Sequence, residues 1–128
     1  MDMIAPLYAG LLGLLFLYLS FRVIALRRHH RVSVGDGGQK ALTKAMRTQA
    51  NCVEYSSIGL ILLVAAELQG TPTWAVHVLG VTLLLGRVLH AFGFGSTPQI
   101  VPARIWGMAL TLGMILVASL SNIIRAII

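Results

Sequence analysis

Apolar positions in this chain run in long blocks rather than in alternation. From Met3 to Phe21 no residue is charged, and these nineteen positions are enough to span a hydrocarbon layer of about 30 Å at about 1.5 Å per helical residue. A second clean run extends from Ile105 to Ile124. Between them lie two interrupted blocks, roughly Ala45–Gln69 and Thr73–Gly95, separated by Gly70-Thr71-Pro72, which reads as a helix stop followed by a restart. The pattern predicts an all-α integral membrane protein, a four-helix bundle forming one membrane domain over residues 1–128. The helices are expected at about 3–28, 45–69, 73–95 and 103–125. The first run is expected to be a retained helix, because it opens on Met1-Asp2 instead of a basic segment and leads into Leu26-Arg27-Arg28 instead of a small-residue cleavage site.

Composition agrees with this reading and narrows it. Hydrophobic residues make up 57% of the chain and charged residues 11%, whereas soluble domains carry about 25% charged residues. The formal net charge of +6 does not mark a nucleic-acid surface, because the cations are grouped between apolar blocks. Arg27, Arg28, Arg31, Lys40, Lys44 and Arg47 form a basic cluster over residues 27–47 between two apolar stretches, as in a cytoplasmic membrane loop. That bias predicts a cytoplasmic first loop and both termini on the far side. Gly35-Asp36-Gly37-Gly38 in this loop reads as a turn, since it lacks the Lys-Ser/Thr ending of a phosphate loop. Cys52 is the single cysteine, so neither an intrachain disulfide nor a cysteine metal cluster is expected.

The second predicted helix carries the chemistry. Arg47, Asn51, Glu54 and Ile58 follow i, i+4, i+7, i+11 spacing and so line one helix face. A charge inside a membrane costs a few kcal/mol (about 3), which directs such a stripe to a bundle interior or a wet cavity. In an antiparallel bundle, Arg87 and His90 of the third helix lie at the same depth. Arg22, Arg27 and Arg28 of the first helix and Arg104 of the fourth lie there too. A cationic pocket with Glu54 as its internal carboxylate is expected, although Arg22 and Arg104 also fit the role of snorkelling side chains. Such a pocket suits a small anion with an apolar companion, since arginine pairs bidentately with carboxylates and stays charged when desolvated. At the other end, Glu67 is expected to reach the outer headgroups, His77 to be an interfacial polar group, and Trp74 and Trp106 to act as interface anchors.

Three segments carry a resemblance. Arg47-Thr48-Gln49-Ala50-Asn51-Cys52-Val53-Glu54-Tyr55 closely resembles the second-helix signature of the MAPEG superfamily, the membrane-associated proteins in eicosanoid and glutathione metabolism. It takes the form found in leukotriene C synthase. Arg27-Arg28-His29-His30-Arg31-Val32-Ser33 is similar to the motif that follows the first helix there, and Arg87-Val88-Leu89-His90-Ala91-Phe92-Gly93-Phe94 to a third-helix motif with tyrosines at the positions of His90 and Phe94. The Gly-Asp-Gly-Gly loop and His90 resemble most the bacterial YecN-like branch.

The resemblance implies a homotrimer in a bacterial inner membrane, holding glutathione as co-substrate between neighbouring subunits near the cytoplasmic face. By position it assigns Arg28, Arg47, Asn51, Glu54 and Tyr55 to glutathione binding, with His90 in the place of a family tyrosine. Arg104 is the expected thiolate partner and Arg28 the alternative, while Arg87 need not touch the peptide. The implied activity is that of a glutathione-dependent transferase or peroxidase acting on lipophilic small molecules that arrive from the lipid bilayer. The alternatives are a non-catalytic binder of glutathione or lipid, and a small transport subunit. Neither a metal site nor a nucleic-acid partner is expected.

Overall fold

The computed structural model describes residues 2–128. Four helices follow one another in the order α1 (Ala5–His30), α2 (Lys40–Leu68), α3 (Thr73–Gly95) and α4 (Val101–Ile127). All four are long and apolar enough to cross a membrane. Pro6 and Pro102 occupy the first turns of α1 and α4, where a missing N–H leaves no helical bond unmade.

The polar second helix begins earlier than hydropathy predicts, at Lys40 rather than near residue 45. The reason is the periodic burial of Leu42 and Ala45 against Val23 of α1, which carries the helix beyond the apolar block. The glycine-rich turn supplies the reversal before it, with Gly35, Gly37 and Gly38 all at positive φ. Asp36 closes this turn by accepting from the Gly38 N–H at 2.9 Å and the Thr43 hydroxyl at 2.5 Å.

Contacts between helices separate the bundle into two ends. At the end holding the termini, Tyr8 packs over Gly80, and its hydroxyl lies 2.7 Å from His77 Nδ1. Glu67 is buried there rather than reaching outward as expected. Its carboxylate accepts the Ile4 and Ala5 N–H groups at 2.7 and 3.0 Å and so supplies the cap that α1 lacks locally. Those orphan amides and the positive end of the helix dipole explain the inward turn of the carboxylate. Asn122 of α4 donates to the Leu62 carbonyl at 3.0 Å in the same region.

At the opposite end, which holds the basic loop, Arg27 donates to the Gly35 carbonyl, and Lys44 ties α2 to Ser96 and Thr97 beyond α3. The main core lies toward the termini and includes Leu12, Leu63, Val76, Leu83, Met114 and Ala118. Helices α3 and α4 form the closest pair, and a Cβ on Gly86 would stand 2.9 Å from the Gly107 carbonyl oxygen. Outward-facing positions such as Leu14, Phe21, Ile61 and Leu116 are exposed and apolar, the arrangement lipid requires. Trp74 and Trp106 are also exposed, near the starts of α3 and α4 and so at opposite ends of the bundle.

Candidate functional site

Arg87 organises the loop half of the bundle. Gly86 and Gly107 bring the α3 and α4 backbones together, which leaves the Arg87 side chain 1% exposed and directed inward. Its Nε donates to Thr111 Oγ1 at 3.0 Å. Nη1 donates to the Asn51 carbonyl at 3.2 Å and to Asn51 Oδ1 at 2.5 Å. The guanidinium carbon lies 5.1 Å from the centre of the Tyr55 ring, within cation–π range. Among the described residues no carboxylate pairs with this buried cation, which is held by neutral oxygens and a ring.

This network fixes two of the expected binding residues. Asn51 Oδ1 is taken by Arg87, so the Asn51 amide group is left with its N–H donors for an anion. Tyr55, one turn farther along α2, is half-buried with its face on the guanidinium. Arg87 thus positions the α2 stripe from behind. Thr111 completes the network and is absent from the sequence-based site, because a threonine in an apolar helix has no pattern of its own.

Arg47 and Glu54 stand on the outside of the protomer. Both are exposed, and among the described residues neither side chain finds a partner. They cannot pair with each other on one straight helix, where seven residues separate them by about 10 Å. Glu54 lies fourteen residues from either end of α2, well inside a membrane-spanning helix. An ionised side chain there faces lipid unless something else covers it.

The remaining expected residues are distributed over two other places. His90 is buried and stacks on Phe94, with centroids 5.7 Å apart and planes 11° from parallel. Together with Arg104, Ile105, Met108, Ala109 and Leu112 they line a cavity of about 500 Å³ on the α3–α4 side. Arg104 donates to Gln99 Oε1 at 2.9 Å and shares this cavity wall with His90. Arg28 lies apart at the end of α1, in a shallow depression shared with Ile24, Arg27, Arg31, Val32 and Ser33. The protomer therefore joins Asn51 and Tyr55 through Arg87, joins His90 to Arg104, and leaves Arg28, Arg47 and Glu54 on its surface. Cys52 is buried, 3.8 Å from Ser56 Oγ, as a packing residue. Among the described residues no group of three His, Cys, Asp or Glu side chains is placed to hold a metal ion.

Comparison with known proteins agrees with this architecture. The MAPEG family matches residues 5–124. The chain is 40% identical over 121 residues to the inner membrane protein YecN of Escherichia coli strain K12, covering 94% of this chain and 91% of that protein. The YecN protein of Escherichia coli O6:H1 strain CFT073 matches to the same extent. With four membrane-length helices and a match over nearly its whole length, this chain belongs to the MAPEG family.

Proposed function

We propose that this protein is a homotrimer of a bacterial inner membrane that binds glutathione between subunits and presents its thiolate to lipophilic electrophiles. The observation that carries the reading is the exposed pair Arg47 and Glu54 on α2, two charges at membrane depth that find no partner among the described residues, beside a half-buried Asn51 whose oxygen is taken by Arg87. A subunit interface shelters such charges, and a peptide with two carboxylates and one ammonium satisfies both signs. The apolar cavity beside His90 and Arg104 suits the electrophile, and Arg104 stands where it favours a thiolate over a thiol. The basic loop faces the cytoplasm in this reading, and both termini face away from it.

One observation favours a second reading, that of a glutathione binder with little chemistry of its own. Phe94 offers no hydrogen-bond donor, and His90 is stacked against it in the position where the family motif carries a tyrosine. The two readings separate in one experiment on purified protein in detergent. Calorimetric titration with glutathione reports binding, and a chromogenic electrophile then reports turnover. Binding with turnover supports the enzyme, binding alone supports the binder, and no heat of binding with an intact oligomer rejects both.

A further inference from the structure

Helices α1 and α3 touch at the terminal end and part toward the basic loop. Tyr8 wedges over Gly80 at the closed end, and the gap beyond it widens into a cleft of about 510 Å³. Its walls change character with depth. Near the loop they hold Arg22, Ser96 and Thr97, and about two turns deeper they hold Leu15 and Val88, with Tyr18 and Phe92 between.

Arg22 does not extend away from the protein. One of its guanidinium nitrogens lies 3.7 Å from where a Cβ on Gly95 would stand, so the charge is folded across the mouth of the cleft. The neighbouring cation, Lys44, is already occupied by Ser96 and Thr97. Among the described residues Arg22 has no anionic partner. A second copy of the chain has none to offer at this level either, since the whole sequence has four acidic residues. Asp2 and Glu67 belong to the opposite end, Asp36 is bound within its own turn, and Glu54 lies about 10 Å deeper along α2, since the Gln49–Ser20 hydrogen bond sets Arg22 near the level of Arg47.

We propose that this cleft holds an anionic membrane phospholipid, with its phosphate on Arg22 and the Thr97 hydroxyl and one acyl chain lying along Leu15, Tyr18, Val88 and Phe92. The polarity gradient runs in the direction of a lipid in the leaflet that meets the basic loop, and the cleft opens between two helices with Tyr18, Val88 and Phe92 exposed on the protomer. The charge excludes a purely apolar guest, and the deep apolar walls exclude a free soluble anion as the preferred one.

The test uses full-length protein in detergent, equilibrated with equal amounts of phosphatidylglycerol and phosphatidylcholine of matched chains and examined by native mass spectrometry. A single basic side chain near an anionic surface confers a preference of about fivefold. Retained phosphatidylglycerol should exceed phosphatidylcholine by at least that ratio in the wild type, in Arg22→Lys and in Arg31→Gln, which removes an equal charge from the same end. In Arg22→Gln the ratio should fall toward one. A phosphatidylglycerol bearing a diazirine in its acyl chain should label peptides containing Leu15 or Phe92, and glycerol phosphate at equal concentration should not displace it. Equal retention of both lipids, an unchanged ratio in Arg22→Gln, labelling elsewhere, or displacement by glycerol phosphate would overturn the proposal. So would a disulfide between subunits in Phe92→Cys protein, which would show that a second copy fills the cleft.

Discussion

The hydrogen bond between Arg87 and Asn51 is expected to be one of the strongest single links between helices in this protein. The perturbation is a double-mutant cycle of Arg87→Met and Asn51→Leu, replacements that keep the approximate shape and remove polarity. Hydrogen bonds between membrane helices average about 0.6 kcal/mol in such cycles and reach about 1.7 at most, since the separated helices find other partners. Several features place this pair at the upper limit. The donor is charged, its side chain is 1% exposed, the Nη1–Oδ1 distance is 2.5 Å, and among the described residues no carboxylate stands by to replace the acceptor. The second Asn51 contact, to the backbone carbonyl at 3.2 Å, survives Asn51→Leu and lowers the measured coupling. A coupling of about 1.5 kcal/mol is therefore expected. Unfolding in mixed micelles of increasing dodecyl sulfate content, followed by far-ultraviolet circular dichroism, supplies the four stabilities. Each single variant should lose about 2–4 kcal/mol, because each leaves a buried polar group unpaired. A coupling under about 0.5 kcal/mol, with both single variants near wild type, would refute the assignment of Arg87 as the organiser of the α2 stripe.

Four further outcomes follow from named contacts. Glu67→Ala should destabilise the protein by about 1–2 kcal/mol and increase amide exchange at Ile4 and Ala5, whereas Glu67→Gln, which keeps one acceptor oxygen, should lose less. Gly86→Leu should lower thermal stability by about 1–3 kcal/mol, since a Cβ there already meets the Gly107 carbonyl, while Gly10→Ala and Gly13→Ala, whose Cβ would meet nothing in the protomer, should not lower it. Arg47→Ala and Glu54→Ala should each weaken glutathione binding by about 2–5 kcal/mol in calorimetry, and unchanged affinity in both would remove them from the site. The Thr43 hydroxyl and then the Gly38 N–H hold the Asp36 carboxyl below its ordinary value, so the order it gives the loop is complete above the unfolded-state value of about 3.9 and is lost as pH falls through the lower folded-state value. Proteolytic nicking of the loop measures this, and Asp36→Asn should show no such pH dependence.

Much of the architecture was legible because the membrane imposes it. Long uncharged runs and Gly70-Thr71-Pro72 mark the helices, and the antiparallel order alone sends Arg87 and Asn51 to one depth. Two features escaped the pattern for physical reasons. The first turns of α2 are polar, so hydropathy placed its start near residue 45, yet Leu42 and Ala45 bury against Val23 and extend it to Lys40. Glu67 reads as a headgroup-reaching carboxylate by position, but its destination is decided by the uncapped amides of another helix, sixty-three residues away from Ile4 in sequence. Within the candidate site, the motif residues were readable and their connections were not. Arg87 looks like one more cation in the sequence, and only its geometry shows it acting through Asn51 and Tyr55.

That geometry separates two demands on the same helix. The buried side of α2 spends the Asn51 oxygen on a cation that is 1% exposed, and the exposed side carries Arg47 and Glu54. A ligand anion bound at Asn51 as proposed would meet a donor on an amide already polarised by a guanidinium, and hydrogen bonds linked in this way reinforce one another. In the proposed site the same link would make affinity depend on packing between α3 and α4, because Thr111 and the Gly86–Gly107 approach hold Arg87 in place. A substitution at Thr111 that weakens binding without touching the ligand would be the expected consequence. Thr111→Val, which keeps shape and removes the acceptor, should reduce glutathione affinity while Thr111→Ser preserves it. Equal affinity in both variants, with the oligomer intact, would show that Asn51 keeps its orientation without help from α4.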